Sequence, residues 1–203
     1  MTLHIKESLE FGWKKTRQHS GLLFQVLVTL FALQVMYAIV SRVLENSAIG
    51  FLAILALVFA EFVVGVGLTL VALRLAQGKH AEYKNIIPPA DVLWRYALAN
   101  LLAGLVIFVG FIFLIVPGIY FMLRFSMVRF AVLEGAGVME SLRKSSKLTE
   151  GIKWQLLLFM IVMCLANLLG LLFFFVGLLV TIPVTLIAYA HIYQKLHAHH
   201  HKA

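Results

Sequence analysis

The stretch WQLLLFMIVMCLANLLGLLFFFVGLLVTIPVTLIAYAHIYQ, from Trp154 to Gln194, runs for 41 residues without a formal charge. A helix crosses the hydrocarbon core of a bilayer with about 20 apolar residues, so this run is too long for one crossing and suits two. It can fold back only where a breaker interrupts it. Gly170, Gly177 and Pro183 are the candidates, with Gly177 the expected turn. Spans are therefore predicted near 155–175 and 178–193.

The same measure applied upstream finds four more crossings. Arg17 to Arg42 contains no other charge, giving a span near 21–40. Glu45 to Arg74 contains only Glu61, giving a second near 49–73. Arg95 to Arg124 contains none, giving a third near 96–116, and after Pro117-Gly118 a fourth returns near 119–133. The expected fold class is all-α: one integral membrane domain over 1–203, a polytopic helical bundle with six transmembrane helices arranged as three hairpins.

Composition agrees. Hydrophobic residues make up 62% of the 203 positions and charged residues 13%, against about 25% charged in a soluble domain. Lipid can solvate so apolar a chain and water cannot, so the expected partner is the lipid bilayer. A net charge of +8 would suggest nucleic acid in a soluble protein. Here the Lys and Arg sit in the polar connections, where they read as topology signals, and nucleic acid is not an expected partner. Lys6, Lys14, Lys15 and Arg17 precede span one; Arg74, Lys79, Lys84 and Arg95 follow span two; Arg143, Lys144, Lys147 and Lys153 follow span four. The opposite side has only Arg42, beside Glu45. The imbalance predicts that both termini are cytoplasmic. The polar N-terminal segment does not resemble a cleavable signal, so an uncleaved first span is expected. The single cysteine, Cys164, can form no intrachain disulfide and is expected to serve packing.

Two polar segments have helical periodicity and are expected as amphipathic helices on the cytoplasmic face. Residues 3–18 put Ile5, Leu9 and Trp13 on one stripe, and residues 138–148 do so with Val138, Leu142 and Ser145. The two segments are weakly similar at an offset of 133 residues: Glu7-Ser8-Leu9 matches Glu140-Ser141-Leu142, and Lys14, Thr16 and Leu23 match Lys147, Thr149 and Leu156. Either chance or two parallel units, each a surface helix plus a hairpin, would explain this.

The order Val116-Pro117-Gly118-Ile119-Tyr120, Arg124-Phe125, Ala131-Val132-Leu133-Glu134, then Glu140-Ser141-Leu142 through Ser145, Leu148, Gly151 and Trp154, resembles the signature of YciC-like bacterial membrane proteins. It is also similar to the membrane domain attached to some glycerophosphoryl diester phosphodiesterases. The likeness is best over 117–154. It implies a multi-pass protein of the bacterial cytoplasmic, or inner, membrane. That family is itself largely uncharacterised, so the resemblance implies topology and no catalysis.

Charges within the hydrocarbon cost roughly 2.5–3.5 kcal/mol at a helix centre, so each needs a reason. Glu61 lies in the middle of span two, and Arg124 and Arg129 lie in span four. Glu61 is expected to pair with Arg124 or Arg129, which would either fix helix register or serve transport. Asn100, Asn167, Gln25 and Gln34 are expected to hydrogen-bond between helices. Pro117-Gly118 is expected either as a turn at the outer surface or as the tip of a shallow re-entrant hairpin. His197, His199, His200 and His201 offer imidazoles at the C-terminus. Their spacing matches no defined metal site, and a solvated tail or a cloning remnant is the plainer reading.

HExxH, GxSxG and GxxxxGK[ST] patterns are absent, so no catalytic residue and no cofactor are expected. The leading expectation is a non-enzymatic structural, assembly or envelope-homeostasis factor. The alternatives are a small transporter or permease component using the Glu/Arg groups, and a protein that binds or modifies lipid, with basic segments attracting anionic headgroups.

Overall fold

The computed structural model describes residues 4–45, 47–81, 83, 87–172 and 176–200. Leu3, Lys84, Phe175 and His201 lie outside the described residues. The chain is all-helical, in the order α1 (Ile5–Gln18), α2 (Ser20–Val43), α3 (Ala48–Ala76), α4 (Ala90–Phe113), α5 (Ile115–Arg124), α6 (Val128–Leu133), α7 (Val138–Leu148), α8 (Lys153–Leu172) and α9 (Val176–His200). Six helical stretches are long and apolar enough to cross a membrane, with α5 and α6 together making the fourth, as expected of a polytopic bundle. The pairs α2–α3, α4–α5 and α8–α9 form three hairpins, and α3 also packs on α9.

Burial follows the logic of a lipid solvent. The core gathers Leu68, Val71 and Leu75 of α3, Phe130 of α6, Phe159 of α8 and Ile187 to Tyr193 of α9. Phe31, Phe51, Phe59, Phe108 and Leu165 are exposed instead, because hydrocarbon accepts them as readily as the interior does. Cys164 is among the exposed residues, so its expected packing role is corrected. All three tryptophans, Trp13, Trp94 and Trp154, are exposed too, the last two near the starts of α4 and α8.

Breaks in the helices differ from expectation in a consistent way. The middle hairpin turns at Leu114, whose backbone is extended, and not at Pro117-Gly118. Pro117 occupies the first turn of α5, where its missing N–H has no intrahelical partner to lose. Gly118 is a contact residue: a Cβ there would lie 2.4 Å from the Phe111 ring, and one at Gly110 would lie 3.1 Å from Gly118. Likewise Gly177 lies inside α9 and is pressed against Gly170, where a Cβ would meet the Gly170 carbonyl at 2.3 Å. In both hairpins a glycine pair brings the helices together.

The two amphipathic helices are docked, and the predicted stripes take part: Ile5 and Leu9 pack against the main core, Val138 and Leu142 against a second cluster, and Ser145 is buried, while Trp13 is the exception. On α1 the buried residues are Ser8, Gly12 and Thr16, while Trp13 is 56% exposed. That face lies along α9, close enough that a Cβ on Gly12 would reach the Val184 carbonyl at 2.5 Å. On α7 the buried residues are Ser141, Ser145 and Leu148, with Thr149 at the C-cap also buried. Small and hydroxyl-bearing residues face the protein, because lipid competes for the apolar ones but cannot satisfy hydroxyls.

Candidate functional site

At the C-terminal ends of α3 and α6, Gly78 and Gly135 take left-handed conformations, with φ +71° and +101°. These turns leave Gln77 and Glu134 facing each other, and Glu134 becomes the hub of a polar node that joins four helices. Its Oε1 accepts from Gln77 Nε2 at 3.1 Å and Gln194 Nε2 at 2.6 Å. Its Oε2 accepts from Lys144 Nζ at 3.0 Å and the Tyr193 hydroxyl at 2.5 Å. His197 Nε2 stands 3.9 Å from Oε2, with its ring stacked on Tyr193 at 5.9 Å. Burial pushes the Glu134 carboxyl up, but the hydrogen bonds from Tyr193, Lys144 and Gln194 and the charge of Lys144 together hold it below the ordinary value. A cavity of about 660 Å³ opens beside the node, lined by Arg74, Lys79, His80, Lys144 and His197. The basic groups of separate loops thus meet at one end of the bundle. Arg95 Nη1 joins them by donating to the Gly135 carbonyl at 3.4 Å.

The second polar assembly closes the gap between α5 and α6. Non-helical backbone at membrane depth is tolerated only where its amides find partners. Ser145 supplies them: its hydroxyl donates to the Arg124 carbonyl at 2.8 Å and accepts from the Met127 N–H at 3.1 Å. Thr149 adds a longer bond to the same carbonyl at 3.4 Å. Arg124 Nε donates to Ser146 Oγ at 2.7 Å, so this arginine is held by α7. The helix that carries these hydroxyls is capped by its own Glu140, whose carboxylate accepts from the Gly137 N–H at 3.2 Å.

Arg129 projects elsewhere. Its guanidinium carbon lies 5.5 Å from the Tyr189 ring centre and 5.9 Å from that of Phe130. The same rings pack with Phe159 and Tyr193 in an aromatic cluster with centroids 5.5 Å apart. Asn167 Nδ2 donates to Thr185 Oγ1 at 3.3 Å, an interhelical bond of the expected kind between α8 and α9. Among the described residues Asn100 Nδ2 donates to the Tyr96 carbonyl within its own helix, at 2.8 Å, and not to another helix.

Of the predicted candidates Arg129 and Asn167 line one cleft, whose lining includes neither Glu61, Arg124 nor Asn100. Among the described residues Glu61 forms no ion pair, and its Oε1 is buried without a hydrogen-bond partner. The expected pairing with Arg124 or Arg129 is corrected, since α7 holds the first and an aromatic cluster faces the second. Pro117 and Gly118 belong to a helix and not a turn. His197 and His199 fall within α9, and His200 ends it. Among the described residues no group of three His, Cys, Asp or Glu is placed to hold a metal ion.

Glu134, Gln77, Tyr193, Gln194 and Ser145 were not sequence-predicted site residues. One signal was present for Glu134: it is the sole acidic residue between Asp91 and Glu140, and it sits at a helix C-terminus, where the macrodipole disfavours negative charge. Comparison of the chain with family models, with curated proteins and with solved structures returns no match.

Proposed function

We propose that this chain is a non-enzymatic structural, assembly or envelope-homeostasis factor of a bacterial cytoplasmic membrane, with its basic end and both termini in the cytoplasm. The observation that supports this is the commitment of polar side chains to internal joints. Glu134 is occupied by donors from α3, α7 and α9, and the buried hydroxyls of α7 close the α5–α6 gap. Their hydrogen bonds run from helix to helix, as joints of a scaffold do. The gathering of Arg74, Lys79 and Lys144 at one end supports the orientation through the Lys and Arg bias of cytoplasmic loops.

Complementation tests the scaffold reading. In a strain lacking the protein and showing an envelope defect, Glu134→Gln, Gln77→Leu and Tyr193→Phe should lose complementation in proportion to the loss of folded protein in membranes. A variant that accumulates at wild-type level, folds normally and complements nothing would overturn the reading.

A further inference from the structure

An arginine inside a membrane-spanning segment remains protonated and carries five N–H donors. Arg129 has no carboxylate within ion-pair distance among the described residues. The Tyr189 and Phe130 rings cover its faces but offer nothing to its N–H edge. That side chain lines a cleft of about 310 Å³ shared with Met160 and Met163 of α8, Ile182 and Tyr189 of α9, and Asn167. Two more polar atoms there are buried without hydrogen-bond partners: Asn167 Oδ1 and the hydroxyl of Tyr189. Tyr189 is only 7% exposed; the nearby Ser126 hydroxyl donates to the Leu123 carbonyl at 2.7 Å and interacts with the Tyr189 hydroxyl without closing a well-formed hydrogen bond to it. A buried polar atom left unsatisfied costs about 1–3 kcal/mol, so two beside an uncompensated cation imply a polar ligand with acceptor groups.

We propose that this cleft binds the headgroup of an anionic glycerophospholipid from the leaflet on the α7 side. Phosphodiester oxygens accept from the Arg129 guanidinium and the Tyr189 hydroxyl, and the glycerol end of the acyl chains extends past them toward Asn167. The volume is near the lower end of small-ligand sites, which suits a glycerophosphoryl group and not a large solute. The occupant is a lipid and not free phosphate because Leu158, Ile161, Leu165 and Ile182, all exposed, lie on the same two helices and suit acyl chains. Arg129 stands five residues before Glu134, about 7.5 Å of helix rise, so the cation lies inward of the polar node, within reach of a headgroup. The site is separate from the basic loop segments, and it does not depend on the scaffold reading.

Native mass spectrometry of the purified full chain tests this with phosphatidylglycerol and phosphatidylcholine of matched acyl chains as probes. The wild type should retain one phosphatidylglycerol at a concentration about tenfold lower than phosphatidylcholine requires, because the choline of the latter brings a second cation toward Arg129 while the phosphodiester is common to both. Arg129→Gln should weaken retention about ten- to hundredfold, Tyr189→Phe and Asn167→Leu should weaken it less, and Arg143→Gln, exposed and outside the cleft, should not change it. If Arg129→Gln does not fold, the wild-type preference together with Tyr189→Phe decides. Equal retention of the two lipids by the wild type, or unchanged preference in the cleft variants, would overturn the site. Displacement of phosphatidylglycerol by millimolar inorganic phosphate would overturn the lipid assignment in favour of a free anion.

Discussion

The first unit, α1 to α3, and the last, α7 to α9, begin alike and end differently. Ile5 and Val138 open their amphipathic helices, Ser20 and Lys153 open the spans that follow, and each pair stands 133 residues apart. The buried stripe is equivalent, Ser8, Gly12 and Thr16 in one and Ser141, Ser145 and Thr149 in the other, and Leu23 and Leu156 are both buried beyond it. The two units diverge at the centre of the stripe. Gly12, with no side chain, lets α1 approach α9 to backbone contact. Ser145, at the equivalent place, turns its hydroxyl to the backbone gap between α5 and α6. One stripe of small residues thus serves close packing in the first unit and hydrogen-bond capping in the second, and a single hydroxyl separates the uses.

The largest effect should come from the node that ties α7 and α9 of the second unit to the ends of α3 and α6. Glu134→Ala removes the shared acceptor of Lys144, Tyr193, Gln194 and Gln77 and should cost about 3–5 kcal/mol, as breaking a buried ion pair does, read from unfolding in detergent. Next come the two stripe centres, damaged in opposite ways. Ser145→Ala leaves the Met127 N–H and the Arg124 carbonyl short of a partner and should cost about 1–3 kcal/mol. Gly12→Ala should cost about as much by overpacking against Val184, and Gly12→Val more. If Gly12→Ser were tolerated and Ser145→Gly harmless, the distinction between the units would fail.

A smaller effect is expected from pH. The Glu134 carboxyl is lower in the folded protein than in the unfolded chain, so its contribution is complete above the ordinary carboxylate value and fades as pH falls through the depressed folded value. Melting temperature should therefore drop on acidification below that range in the wild type, and Glu134→Gln should flatten this part of the profile. Smallest is the exposed ion pair of the first unit's amphipathic helix. Glu7 meets Lys195 at 2.7 Å, with the Glu7 side chain 57% exposed. Glu7→Ala should leave the melting temperature unchanged within error at physiological salt.

Much of this was legible in the chain itself. Runs such as 154–194 gave the number of crossings because bilayer thickness sets a helix length. The Lys and Arg groups came together at one end, where Arg74, Lys79 and Lys144 line one cavity. The weak 133-residue similarity held at the level of helix starts and buried positions. The node was not legible. Gln77, Glu134, Lys144, Tyr193 and Gln194 are scattered over more than half the chain, and no local spacing brings them together.

By itself, then, the sequence determined the all-helical class, the six apolar segments and which residues share a face of each helix. It could not say which face turns inward. In water an apolar stripe marks the interior, but in hydrocarbon Leu165 is at ease outside, so small and hydroxyl-bearing residues such as Ser8, Gly12 and Ser145 mark it alongside Ile5 and Leu9. Only the tertiary structure decided that the middle hairpin breaks at Leu114, that α7 caps the α5–α6 gap, and that Arg129 and Glu61 remain apart. Those outcomes depend on which helices meet, and helical periodicity carries no information about the partner a face will find.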